Sequence, residues 1–157
     1  MIRIESARAG DLITLRQLLS TCGLPLEGVV ETIDTREPLD QFVVALEDGD
    51  GGRPLIGCAG LEVHGTACVL RSLAVDPGMR GRGVARLLIE EILQRARDAG
   101  CRQAFLLTTT IEPMAARYGF SRIERTDVPA ELLATSEFAL NACSTATVMR
   151  RDLQPPP

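Results

Sequence analysis

The chain has 157 residues, 45% hydrophobic and 24% charged, which suits one globular domain whose core needs no disulfide or metal to hold it. Seventeen basic residues against 21 acidic give a net charge of −4, which excludes a broad nucleic-acid surface. All 17 basic residues are arginine, so Schiff-base chemistry and a P-loop, which both use a lysine, are excluded as well.

A short strand is predicted at 2–5. Gly10-Asp11 then offers an N-cap, and Leu12, Leu15, Leu18 and Leu19 recur at helical spacing until Gly23 and Pro25. A weaker helix is predicted at 27–33, ended by Pro38. Strands follow at 42–46, 55–63 and 67–75, joined by a glycine-rich turn at 48–52 and a tight turn at His64-Gly65, so they form an antiparallel meander. The strongest helix is 84–99, where Val84, Leu88, Ile92 and Ala96 repeat every four residues and Gly100 closes the last turn. An apolar strand at 104–109 completes a βαβ crossover and a parallel pair. A short helix from 113 to before Gly119, a strand near Arg122, a helical turn at 129–134 and a strand at 146–151 close the chain. The fold class is α+β, a mixed and mostly antiparallel sheet with one parallel pair. The domain is placed at 1–153, and the tail at 154–157, Gln-Pro-Pro-Pro, is expected to be disordered. An apolar edge on the last strand (Ala146, Val148, Met149) would need cover, which predicts a homodimer.

The chemistry concentrates in Asp76-Pro77-Gly78-Met79-Arg80-Gly81-Arg82-Gly83-Val84-Ala85-Arg86. Here a strand ends and the strong helix begins. A helix start presents unpaired N–H groups and the positive end of its dipole. Gly81 and Gly83 let the backbone approach an anion, and Arg80, Arg82 and Arg86 add guanidinium forks suited to phosphate oxygens. The combination reads as a pyrophosphate cradle rather than a tight turn with solvated arginines. A dinucleotide fold is the rival, but its third glycine is replaced by Arg86, and no acidic residue ends the next strand at Leu107-Thr108.

Arg80-Gly81-Arg82-Gly83-Val84-Ala85 resembles the R/Q-x-x-G-x-G/A signature of the GCN5-related N-acetyltransferases (GNAT). Leu70 to Pro77 resembles the strand before that signature, and Tyr118-Gly119-Phe120 the family's G-F close. The resemblance covers nearly the whole chain in element order. It implies a GNAT-like sheet with a splayed parallel pair and helices on both faces. It also implies acetyl-CoA as co-substrate, held by Arg80 to Arg86, with the backbone of Leu73, Ala74 and Val75 along the pantetheine arm. Within the family, 105–110 followed by Pro113 and Gly119-Phe120 resembles members that acetylate free amino acids. Val128 to Glu131, Ser136-Glu137-Phe138 and Cys143 resemble members associated with arsenic-resistance operons.

The implied reaction is direct attack of a small amine on the thioester, which needs a base, an oxyanion donor and an acid. The N–H near Leu73 is the oxyanion candidate. The family's acid position, four residues before the glycine of G-F, holds Ala115. Tyr118, the only tyrosine, reads either as a core aromatic or as the acid, with water or Thr108, Thr109 or Thr110 as substitutes. Val69 occupies the family's glutamate position, so Glu62 on the neighbouring strand is either a base acting through water or a solvent-facing carboxylate. Arg71 is either a clamp for a substrate carboxylate or a surface ion-pair former; His64 is a turn residue.

Five scattered cysteines, one histidine and no C-x-x-C pair give no metal spacing. The thiols are expected to stay reduced in a cytoplasm, and no segment reads as a membrane span. Absence of both usual acid and base positions leaves a second function open: an acyl-CoA-binding sensor or interaction module with weak turnover.

Overall fold

The computed structural model describes residues 1–24, 26, 42–49, 51–108, 111–134 and 146–153. The helix expected at 27–33, Thr109, Thr110, Cys143 and the tail at 154–157 lie outside these residues. Seven strands are hydrogen-bonded in the order β1-β2-β3-β4-β5-β7-β6. They are β1 Ile2–Ser6, β2 Phe42–Glu47, β3 Leu55–His64, β4 Ala67–Val75, β5 Gln103–Thr108, β6 Ser121–Ile123 and β7 Thr147–Asp152. The helices are α1 Leu12–Thr21, α2 Val84–Asp98, α3 Glu112–Arg117 and α4 Ala130–Leu133. Among the described residues no helix is long and apolar enough to cross a membrane.

The chain groups into two compact units. The first comprises residues 1–60 and 72–93. In it β1 pairs antiparallel with β2 and β2 with β3. Strand alternation sends neighbouring side chains to opposite faces. Phe42, Val44, Leu46 and Cys58 accordingly pack with Leu15, Leu18 and Leu19 of α1. Gly57, next to Cys58, faces α2. A Cβ at Gly57 would stand 3.0 Å from Leu88 Cδ1, 3.1 Å from Val84 Cγ1 and 3.1 Å from the Ala74 carbonyl. A side chain would crowd all three, so this glycine sets how closely the start of α2 lies on the sheet. Asp11 is the N-cap residue of α1, but its side chain makes no bond to that helix. It accepts from the Arg8 N–H at 2.8 Å and from Arg53 at 3.0 and 3.1 Å.

The second unit comprises residues 61–71 and 94–157. Its parallel ladder between β4 and β5 runs from Ala67↔Gln103 to Leu70↔Leu106. Val69, Phe105 and Val148 pack with Val128 and Leu132 near α4. β7 pairs with β5 on one side and with β6 on the other. The expected exposed edge on the last strand is therefore corrected: β7 is interior. The three-residue β6 (Ser121–Ile123) covers the side that the sequence leaves open, and the argument for a dimer drawn from that edge falls with it.

Candidate active site

The loop ahead of α2 is built by short-range bonds. The Asp76 N–H donates to the Ile56 carbonyl at 2.8 Å, which ties the end of β4 to β3. Asp76 Oδ1 accepts from the Gly78 N–H at 2.9 Å, and Pro77–Met79 make one 3-10 turn. Gly81 and Gly83 then take φ +82° and +80°, which L side chains rarely adopt, and no atom lies within 4 Å of where a Cβ would stand at either. The Leu87 N–H donates to the Gly83 carbonyl at 3.2 Å, so Gly83 caps α2. The N–H groups of Val84, Ala85 and Arg86 thus have no partner within the helix. The first turn of α2 carries no acidic residue, which leaves the positive end of its dipole uncompensated. Backbone donors, open space over two glycines and an electropositive helix end together suit a phosphate group.

The three arginines of the loop are placed differently from one another. Arg80 turns back, Nε to the Val75 carbonyl at 3.3 Å and a terminal nitrogen to Cys22 Sγ at 3.7 Å. Arg82 donates to Glu47 Oε1 at 2.7 Å and to Met79 Sδ at 3.3 Å. Its hydrogen bond holds the Glu47 carboxyl below the ordinary carboxylate value. Arg86 is exposed and lies 3.9 Å from Glu90 one turn along α2. Glu47 was invisible to motif reading because it lies 35 residues away in the chain.

Within β4, Ser72 has φ +57° and is the only non-glycine residue with positive φ among the described residues. A left-handed residue inside a strand costs roughly 1–2 kcal/mol and breaks the regular ladder at that point. Cys58 Sγ donates to the Ser72 carbonyl at 3.2 Å and helps hold the distortion. Leu73, Ala74 and Val75 follow directly, with Ala74 buried and the other two partly so. The distortion lies one residue ahead of Leu73, whose N–H is the oxyanion candidate. The Val75 carbonyl accepts from Arg80 and, at 3.6 Å, from Cys22.

In the second unit the structure joins two candidates that the sequence treats separately. Arg71 donates to Glu62 Oε1 at 2.9 Å, and the Arg71 side chain is 1% exposed against 15% for Glu62. Arg71 is a buried ion-pair former rather than a surface one, and Glu62 is not solvent-facing. His64 Nε2 stands 3.6 Å from Glu62 Oε2, beyond a hydrogen bond. Tyr118 caps the C-terminus of α3 and is partly buried. Ala115 and Val69, at the family's acid and base positions, are both buried.

The profile of the Acetyltransferase (GNAT) family matches residues 13–120. An amino-acid acetyltransferase of Mycobacterium tuberculosis (strain ATCC 25618 / H37Rv) is 33% identical over 130 residues, covering 82% of this chain and 74% of that protein. The crystal structure of Rv2747 from Mycobacterium tuberculosis, in complex with CoA and NLQ, superposes with a TM-score of 0.77 at 27% identity, covering 97% of this chain and 99% of that one. N-acetylglutamate synthase from Neisseria gonorrhoeae, complexed with coenzyme A and L-arginine, gives a TM-score of 0.77 at 22% identity and shares the fold; 98% of this chain is covered, but only 33% of that longer one. With the glycine loop, the α2 start and the sheet order already described, these matches show that the chain belongs to the acetyltransferase (GNAT) family, N-acetyltransferases whose co-substrate is acetyl-CoA.

Proposed function

We propose that this chain, as one acetyltransferase domain spanning 1–153, transfers acetyl from acetyl-CoA to the amine of a small carboxylate-bearing molecule, an amino acid or close analogue. The observation that carries the reading is the loop from Arg80 to Arg86, open over Gly81 and Gly83 at the bare N-terminus of α2. It fits a pyrophosphate, with Arg80, Arg82 and Arg86 as side-chain donors and Val84, Ala85 and Arg86 as backbone donors. Leu73, Ala74 and Val75 are the proposed backbone partners of the pantetheine arm. The amino-acid acetyltransferase at 33% identity and the 27%-identical relative crystallised with CoA support the choice of donor and acceptor class.

Acetyl-CoA supplies an activated thioester. The amine attacks its carbonyl carbon, the N–C bond forms and the C–S bond breaks. The N–H of Leu73, just past the left-handed Ser72, is the proposed oxyanion donor. Glu62 is the proposed base, taking the ammonium proton through a water, and Tyr118 the proposed acid for the departing thiolate, its proton restored through solvent by the second proton that the nitrogen sheds on becoming an amide. Arg71 is the proposed partner of the acceptor carboxylate, and its ion pair with Glu62 makes the two roles interdependent.

Burial of the apolar Val69 and Ala115, at the family's base and acid positions, favours one second reading, a CoA-binding module with little turnover. Release of CoA thiol, measured across the twenty amino acids and a set of amines without carboxylates, separates the two. The proposed function predicts turnover confined to carboxylate-bearing acceptors, with the acetylated product found by mass spectrometry. No turnover together with tight CoA binding would establish the second reading instead.

A further inference from the structure

Arg151 of β7 lies across the end of α3. Its NH1 donates to the Tyr118 carbonyl at 2.6 Å. Gly119 takes φ +85°, and a Cβ there would stand 3.3 Å from Arg151 Nε, 3.4 Å from Cδ and 3.5 Å from Cζ. The arginine therefore lies in close contact over the glycine. Tyr118 is held from the other side as well, since its N–H donates to the Ala115 carbonyl at 3.0 Å.

The charge on Arg151 is unusually placed. The side chain is partly buried, and among the described residues no carboxylate pairs with it; neighbouring Arg150 is the one facing Asp152, at 3.8 Å. Burial, reinforced by the nearby Arg97, pushes the Arg151 pKa down. A guanidinium partly withdrawn from water without a counter-ion carries a cost. Here it is satisfied by the carbonyl at the helix C-terminus, a partner that favours a cation. Its own base is firm, because β7 is interior and Arg151 sits opposite Ala104 of β5.

We propose that Arg151 is a positioning residue for Tyr118: it fixes the main chain from which the phenol projects, so that the proton donor is presented in one orientation. This rests on Tyr118 as the acid in the proposed function. A clamp on the backbone acts on catalysis only through the side chain it places, and that gives it a distinctive signature.

The test measures kcat and KM with the amino acid that releases most thiol in the panel above, for the wild type, Tyr118→Phe, Arg151→Gln, the double variant and Arg151→Lys, with a thermal unfolding curve for each. Tyr118→Phe is expected to lower kcat by ~10²–10⁴-fold. Arg151→Gln is expected to lower it on the order of 10–100-fold through misplacement, with the acetyl-CoA KM unchanged. In the Tyr118→Phe background the same change is expected to cost nothing further, and Arg151→Lys, which keeps the stem and one donor, to recover most of the loss. Wild-type kcat in Arg151→Gln, or an equal further loss in the Tyr118→Phe background, would overturn the inference and leave Tyr118 as the acid. Wild-type kcat in Tyr118→Phe would overturn the acid assignment and the inference with it. Should Arg151→Gln fail to fold, Arg151→Met, which keeps the stem and removes the donors, serves in its place; a loss additive with Tyr118→Phe again overturns the inference.

Discussion

Arg71 and Glu62 form an ion pair, NH1 to Oε1 at 2.9 Å, in which the arginine side chain is almost wholly removed from solvent. Residues that sequence reading assigns to two roles therefore constrain each other. Removing either charge takes this 2.9 Å contact from the other in a partly dry site.

Arg71→Ala is expected to destabilise the fold by roughly 3 kcal/mol, the cost of stranding one member of a buried pair. The double change Arg71→Met with Glu62→Leu is expected to cost less than Arg71→Ala, because both members of the pair go together. Urea unfolding of the two variants checks this. If Arg71 also holds the acceptor carboxylate, Arg71→Ala raises the acceptor KM more than the acetyl-CoA KM, while equal KM values in variant and wild type would remove it from that role.

Gly57→Ala is expected to destabilise the protein by about 1–3 kcal/mol, since the new methyl meets Leu88, Val84 and the Ala74 carbonyl at 3.0–3.1 Å. Val84 is the first residue of α2, so the helix start must shift to admit it. A weaker CoA affinity is expected alongside the lower Tm, measured by calorimetry and thermal unfolding. Lower Tm with unchanged CoA affinity would show that the loop does not depend on this contact.

The described cysteines differ in reactivity. Burial pushes the Cys58 thiol up to about 12 and Cys68 higher still, and it raises Cys101 as well. Cys22 is the partly exposed one. Brief alkylation at pH 8 followed by mass spectrometry is expected to label Cys22 well ahead of the other three, which react only in denaturant. Stability should follow the same shifts. Below pH 9, the ordinary thiol value, both states hold their protons. Above it the unfolded chain loses them first, so stability falls as the pH rises from 9 towards 12. A flat alkaline limb in urea unfolding would contradict this.

The strand–loop–helix turn at 76–86 was legible because its signals are local. Two glycines, a proline and an amphipathic helix specify a strand–loop–helix turn within a dozen residues, and Gly81, Gly83 and Gly100 all take positive φ. What the sequence hid depends on distant pairing. β7 reads as an edge until the three residues of β6 are seen alongside it. Asp11 reads as a helix cap, but Arg53, 42 residues on, competes for its carboxylate. Serine has no preference that would mark Ser72 as left-handed, so the distortion of β4 shows only in the backbone. Glu47 on Arg82 and Arg151 on Tyr118 are contacts across 35 and 33 residues, beyond any motif.

The assignment of Arg80 to Arg86 as the pyrophosphate site is tested most directly by calorimetry of CoA binding to the wild type and to Gly83→Asp, with thermal unfolding as a control on folding. The aspartate places a side chain and a negative charge in the open space over Gly83, at the helix end where an anion is expected. A loss of at least tenfold in affinity, about 1.4 kcal/mol, is predicted. An unchanged Kd in a folded Gly83→Asp protein would contradict the assignment.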